Sequence, residues 1–594
     1  MTAPAAAPPS AATAHGGTMA GSFSWPWTLL LVALASTAVI APLLIVCNAS
    51  GHDIQFHLSS WMDVAGQWRE GVIYPRWAEW SNWGFGEPRF VFYPPASWLI
   101  GAALGSVLPW PAVPGAYIWL ALILAGMSMW KLSREWLPGP QAAAAAVLFA
   151  VNPYTLAIVY YRSDFAELLA ASLLPLLLWA ALGVIGRKSG RFAWLAMIFA
   201  AIWLGNAPEG VIAAYSLALL LVIAAIRQHS MRPLISGGLA MAVGFGLAAF
   251  YILPAIWEQP WVQISQAVAA NLRPERNFIF TASNEPEFLI FNWKISGVAL
   301  GMMLAAGESA IFVARRRREL AEVWWALLSL GIAASFLMFR PSAPLWRYAP
   351  KLAFMQFPWR WLEALAVVFA FFLAAAIGLI RQRWASGLAL TAVFVLIGFT
   401  GYLIAKDTWW DDGDVPFLTG ELASRHGYEG TDEYAPDGSD RYQLPGATPD
   451  AEEIPEIAPT PPVAEIDPVT GKVVGDAGMQ IKIAQWTSER KIFAESSAKP
   501  VTLALRLVSY PAWEVRVDGV DATARAASTT AQMLLSLPQG SHEVEVRFRR
   551  TWDRTAGGAI SLLSGLGLLG YAWNSQRRPR GSAFASATPD TAVT

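Results

Sequence analysis

The sequence predicts a mainly α-helical, polytopic membrane protein with about twelve transmembrane helices and a small β-sandwich near the C-terminus, on three observations. Only 14% of the 594 residues are charged and 55% are hydrophobic, whereas a soluble domain carries about a quarter charged residues. Apolar runs long enough to cross a bilayer, about 17–25 residues, recur along the chain. Every second connection between them is short and basic, the mark of loops held on the cytoplasmic side. Thirty tryptophans point the same way, because an apolar ring with one wet N–H favours the membrane–water interface.

Residues 1–27, rich in Ala, Pro, Ser and Thr, read as a disordered cytoplasmic tail. Residues 1–24 contain no Lys or Arg, a poor start for a signal peptide, so the first apolar run is an uncleaved span. Spans are expected near 28–47, 114–131, 140–158, 167–186, 192–206, 209–226, 233–252, 295–313, 322–339, 362–380, 386–404 and 557–573. The basic connections are Lys131 and Arg134; Arg187, Lys188 and Arg191; Arg227 and Arg232; Arg315 to Arg318; and Arg381 and Arg383. Arg577, Arg578 and Arg580 mark a basic cytoplasmic tail over 574–594, so both termini are placed inside and the longer loops outside. The stretch 95–109 is short and proline-bounded; as a span it would invert this alternation, and it reads as re-entrant or interfacial.

The transmembrane domain thus covers 28–404, with an outer loop at 48–113. In that loop Ile54, Leu58, Trp61, Ala65 and Trp68 recur at steps of four and three, which predicts an amphipathic helix lying on the membrane surface. Residues 405–477 form an acidic and Pro-rich periplasmic linker, solvated from 436 to 475 where apolar periodicity is absent. From 478 to 556 the pattern becomes alternation, as in Trp513-Glu514-Val515-Arg516-Val517 and Val544-Glu545-Val546-Arg547-Phe548, with turns at Asp518-Gly519 and Gly540. That predicts a periplasmic antiparallel β-sandwich, followed by the last span at 557–573.

A formal net charge of −1 argues against nucleic acid as a partner. The single cysteine, Cys47, excludes an internal disulfide framework and a cysteine-rich metal site. Chemistry is therefore sought in ionisable residues near the membrane edge, where they are costly unless paired or lining a polar cavity. Asp53 follows the first span; one reading is an acid complementing a helix start, the other a reactive carboxylate. Arg162, Asp164 and Glu167 fall where the third span ends and the fourth begins; they either pin two helices or line a site. Arg340, Arg347, Lys351 and Arg360 crowd an outward loop, against the usual orientation bias. Anionic headgroups and a lipid-linked phosphate both account for that charge. Glu209 and Glu258 read as helix-capping acids.

The order His52-Asp53, Tyr161-Arg162-Ser163-Asp164-Phe165-Ala166-Glu167, Gln356-Phe357-Pro358-Trp359-Arg360, Tyr428-Glu429-Gly430-Thr431-Asp432-Glu433-Tyr434 and Tyr510-Pro511-Ala512-Trp513 carries a resemblance. The chain resembles the bacterial membrane family labelled 6-pyruvoyl-tetrahydropterin synthase-related, and more broadly the GT-C class of membrane glycosyltransferases. Pterin chemistry itself is not expected: the six histidines, at 15, 52, 57, 229, 426 and 542, include no three close together.

The resemblance implies a GT-C-like transmembrane domain and a hexosyltransferase working at the outer face of a bacterial inner membrane. Its donor would be a sugar on a polyprenyl phosphate, and its acceptor an envelope glycan, lipid or protein, with membrane lipids as the remaining partners. Asp53 is the expected catalytic base, and Arg162, Arg347 and Arg360 the expected ligands of the donor phosphate. His52, His57, Asp164 and Glu167 support them. Some relatives use a divalent cation, so Mg or Mn at Asp53 with Asp164 or Glu167 is compatible, although no ligand spacing establishes a metal site. Two other classes remain: a lipid or sugar transporter or flippase, and a non-catalytic envelope scaffold.

Overall fold

A computed structural model describes residues 24–188, 190–269, 272–444, 451–454 and 479–577. Most of both expected tails, 1–23 and 578–594, lies outside the described residues. Among the described residues ten helices are long and apolar enough to cross a membrane: Trp25–Ile45, Trp110–Ser133, Gly139–Arg162, Phe165–Ile185, Ala207–Arg227, Pro286–Arg316, Arg318–Met338, Pro358–Ile377, Arg383–Ala405 and Trp552–Asn574. Each overlaps an expected span.

The two remaining expected spans differ. Helix Arg191–Gly205 has 15 residues, about 22 Å at 1.5 Å per residue, short of a hydrocarbon core of about 30 Å. It stops because Asn206 turns extended and its side chain accepts the Glu209 N–H (3.1 Å), starting the next helix at once. The expected span 233–252 is a bent pair, Arg232–Leu247 and Ala249–Trp257, at 77°. A sharp bend frees backbone groups that hydrocarbon cannot satisfy. Ser561 of the last span satisfies two of them, accepting from Phe250 N–H (2.9 Å) and donating to the Gly246 carbonyl (3.1 Å). Gly557 permits that approach: a Cβ there would sit 2.5 Å from the Ala249 carbonyl oxygen. Stretch 95–109 holds only the helix Pro95–Gly105, too short to span.

The helix expected from the 54–68 periodicity is present as Ile54–Arg69, but it does not lie open on a surface. Several of its polar positions are covered as well as its apolar ones, with Gln55 and Arg69 left exposed. Asp63 accepts from Gln67 Nε2 (2.7 Å) and Tyr428 OH (2.8 Å). Ser59 and Ser60 accept from Arg89, whose Nε also donates to buried Glu87 (2.7 Å). Partners from residues 87–89 and 428 thus take the place expected for water and headgroups.

Nine strands form two antiparallel sheets: β1 Ala451–Ile454, β2 Met479–Thr487, β3 Arg490–Ser497, β4 Val501–Val508, β5 Trp513–Val517, β6 Val520–Ala522, β7 Arg525–Ala526, β8 Gln532–Leu537 and β9 Gly540–Phe548. Their orders are β1-β4-β8-β7 and β2-β3-β9-β5-β6. Alternation puts Leu503, Leu505, Leu507, Val544 and Val546 in the core, as the pattern requires. Within the expected solvated linker, Pro436, Arg441 and Leu444 are buried while Asp437, Gly438, Asp440, Tyr442 and Gln443 are exposed as expected, and β1 pairs with β4. Residues 445–450 and 455–478 lie outside the described residues. Trp77 and Phe85 of the first long loop, both fully buried, enter the sheet core. The sheets are therefore cored partly by the membrane domain's own loop.

This junction carries a pH prediction. Burial pushes the Asp63 carboxyl from 3.8 up to about 6, against the hydrogen bonds that favour its charge. The folded group keeps its proton to higher pH than the unfolded one, so its stabilisation is full below about pH 4 and lost as pH rises through about 6. Burial also pushes Glu79 and Glu433 to about 7, with the same sign. Melting temperature is expected to fall between about pH 4 and pH 7, and less steeply in Asp63→Asn; identical pH slopes would contradict this.

Candidate active site

The span Gly139–Arg162 ends in an abnormal turn. Residues Ile158–Arg162 are wound as a π-helix, and Ser163 follows in the left-handed region at φ 55°. Single π-turns of this kind concentrate at functional sites. Asp164 then caps the next helix by accepting the Glu167 N–H at 3.0 Å. The break aims Arg162, Asp164 and Glu167 into one space.

The segment after the first span is stapled to this break. Asp53 N–H donates to the Arg162 carbonyl (2.9 Å), Gly51 N–H donates to Ser163 Oγ (3.2 Å), and that hydroxyl donates to the Ala49 carbonyl (3.0 Å). A Cβ on Gly51 would lie 2.6 Å from the Arg162 carbonyl carbon, so only glycine fits.

Arg162 is the hub. Its guanidinium donates to Asp53 Oδ2 (3.2 Å), Asp164 Oδ2 (3.1 Å) and Glu167 Oε2. Arg360, from the 3-10 turn Pro358–Trp361, donates to Glu167 Oε2 (2.9 Å), Asp164 Oδ2 (3.2 Å) and the Met355 carbonyl (3.0 Å). Phe357 and Trp359, stacked with centroids 4.7 Å apart, lie within 5.3 Å of the Arg162 guanidinium. Tyr154 OH donates to Glu167 Oε1 (2.5 Å). His57 Nε2 accepts the Phe165 N–H (3.2 Å) and lies 3.7 Å from Asp164 Oδ1. Burial works against the charge on Asp164, but Arg162, His57 and Arg360 outweigh it and hold its carboxyl well below the usual carboxylate range.

Five expected site residues therefore meet: Asp53, Arg162, Asp164, Glu167 and Arg360, with His57 against them. His52 sits at the edge, its ring 5.3 Å from Tyr161. Arg347 is not brought in; it is exposed on the short helix Ala343–Tyr348. Side-chain exposure separates the cluster's members: 36% for Asp53 against 7% or less for Arg162, Asp164, Glu167 and Arg360. Asp53 alone offers its carboxylate to a ligand.

Sequence reasoning missed Tyr154 and Glu363, and it read Glu209 as a cap. Asn206 makes that cap, and both Glu209 carboxylate oxygens are buried without a partner among the described residues, as is Glu363 Oε1. An acid inside the apolar run 362–380 was the available signal for Glu363.

No divalent-cation site is established in this arrangement. Among the described residues no group of three or more His, Cys, Asp or Glu is disposed to hold a metal ion. The oxygens of Asp53, Asp164 and Glu167 that converge do so on the Arg162 guanidinium.

The sequence matches the 6-pyruvoyl-tetrahydropterin synthase related domain, a membrane protein family, over residues 90–410, more than half of the chain. The chain belongs to that family. The matched segment includes Arg162, Asp164, Glu167 and Arg360 and leaves Asp53 outside. This family member is similar in structure to the Archaeoglobus fulgidus oligosaccharyltransferase tethered with an acceptor peptide, at TM-score 0.45 and 15% identity, over 69% of this chain and 56% of that one. It is also similar to ArnT from Cupriavidus metallidurans in the apo state, at TM-score 0.40 and 13% identity, over 67% of this chain and 71% of that one. It spans about half the length of the archaeal enzyme in its complex with Zn and sulfate. No curated protein matches the chain by sequence.

Proposed function

We propose that the protein is a GT-C-type membrane glycosyltransferase. It moves a sugar from a polyprenyl-phosphate donor to a cell-envelope acceptor at the outer face of a bacterial inner membrane, with both termini cytoplasmic. The observation that carries this reading is the contrast within the cluster: one half-exposed carboxylate, Asp53, pinned by a buried guanidinium, Arg162.

In the transfer, the acceptor oxygen bonds to the anomeric carbon while the carbon–oxygen bond to phosphate breaks. The phosphate leaves with the electron pair, and Asp53 takes the acceptor's proton as general base. A single displacement inverts the anomeric configuration. Arg162 and Arg360 supply the positive charge for the leaving phosphate. Both are already engaged by carboxylates, and the Asp53–Arg162 contact is the longest of Arg162's three and the exposed one. A donor phosphate reaching Arg162 takes the place of Asp53 there, which frees Asp53 for the acceptor. Arg347, exposed and outside the cluster, takes no part in holding the phosphate.

Asp53→Asn keeps the shape and removes the base. Transfer of labelled sugar from polyprenyl phosphate in membranes is expected to fall at least about a hundredfold, with the melting temperature little changed. Undiminished transfer would remove Asp53 from the mechanism. Substrate uptake into sealed vesicles without transfer would favour a transporter.

A further inference from the structure

A cavity of about 280 Å³ is lined by Cys47 and Asn48, just before the segment that bears Asp53. Its walls come from the ends of Trp25–Ile45 and Trp110–Ser133, the helix Ile54–Arg69 and residues 411–415. Leu43, Leu44, Leu58 and Val415 make it apolar. Leu44, on the cavity wall, is 64% exposed, and in a membrane-spanning helix such a surface meets lipid.

The rim is of the opposite character, formed by Asp411, Asp412 and Asp414. Among the described residues no ion pair takes up any of the three. Buried Asp414 accepts from Ser50 Oγ (2.6 Å) and Gln55 Nε2 (2.8 Å), the residues that bracket Asp53, so rim and candidate base belong to one unit. Burial, then Asp412 and Asp411, raise the pKa of the Cys47 thiol, which lines the same cavity.

We propose that this cavity seats a lipid with a cationic, ammonium-bearing headgroup, its chain against Leu43, Leu44 and Leu58 and its head against the three aspartates. Charge complementarity selects that occupant: a phosphate-only headgroup meets uncompensated carboxylates at the rim and is repelled. The 48–55 segment then lies between contacts to amphiphiles of opposite sign, the anionic donor at Arg162, which holds Asp53, and the cationic lipid near Asp414, which holds Ser50 and Gln55. That this lipid is also the sugar acceptor rests on the proposed function; its binding does not.

Cys47 is the only cysteine in the chain, so the full-length protein carries its own reporter. Maleimide labelling of Cys47 is followed in detergent with alkylammonium, alkyl phosphate and alkyl glucoside of equal chain length. Alkylammonium at about ten times its dissociation constant is expected to slow labelling about tenfold, with the glucoside weaker and the phosphate weakest. Asp411→Asn with Asp412→Asn, which leaves Asp414 in place, is expected to abolish the preference for the ammonium head. Equal protection by all three in the unsubstituted protein, protection by none, or strongest protection by the phosphate overturns the proposal. The same pattern is expected in Asp53→Asn, so failure of sugar transfer and failure of this site are separately visible.

Discussion

Arg162→Met is expected to be among the most destabilising substitutions in the chain. Asp164 and Glu167 are buried, and both lean on this guanidinium. Removing it leaves Arg360 as the one guanidinium for both carboxyl groups, beside the Tyr154 hydroxyl on Glu167 and His57 near Asp164. Taking one partner from a buried ion pair costs about 3–5 kcal/mol, because the other charge stays buried and uncompensated. A double substitution separates this cause from lost packing. Arg162→Met with Glu167→Met removes a charge of each sign and fills the space with apolar groups, so it is expected to melt higher than Arg162→Met alone. Thermal melting in detergent reads both. A single variant that melts like the unsubstituted protein, or a double variant that is worse by the sum of its parts, would contradict the account.

How far the sequence discloses this arrangement depends on how local each contact is. Spans are legible because a helix in hydrocarbon must be apolar over its whole length. The sheets are legible because a half-buried strand alternates. Arg162, Asp164, Glu167 and Arg360 stand out because ionisable residues at span ends are costly, and their short separations across 162–167 are visible in the chain. The bond from Asp53 to Arg162 spans 109 positions, and no local pattern encodes it. The same holds for Trp77 in the sheet core and for Tyr428 OH donating to Asp63, a separation of 365 positions. Arg347 shows the converse. Its charge and neighbours match those of Arg360, yet the helix Ala343–Tyr348 leaves it exposed while Pro358–Trp361 turns Arg360 inward. Glu363 is legible only as a lone acid in an apolar run, a weak signal because a single acid barely dents the hydropathy of that run. The bend after Leu247 was invisible because Ser561, which satisfies it, arrives from the far end of the chain.

The second large effect is expected where that far end docks. Glu258, fully buried after the bent pair, accepts from Arg554 Nε (2.9 Å) and NH2 (2.8 Å) of the last span and from Tyr510 OH (2.5 Å) of the sheet domain. Arg554 also lies 4.7 Å from the Phe548 ring of β9. Three parts of the chain thus share one ion pair, and Arg554→Met leaves Glu258 without its countercharge in a buried place, at a cost of about 3–5 kcal/mol. Tyr510→Phe removes one hydrogen bond and is expected to cost about 1 kcal/mol. The damage should be regional, because the cluster around Arg162 shares no residue with this lock. Limited proteolysis is therefore expected to cut the sheet domain of Arg554→Met early while the membrane helices stay protected, and Glu258→Gln in the same chain should restore part of the resistance. Loss of both regions at the same protease dose would mean that the sheets and the bundle unfold as one unit.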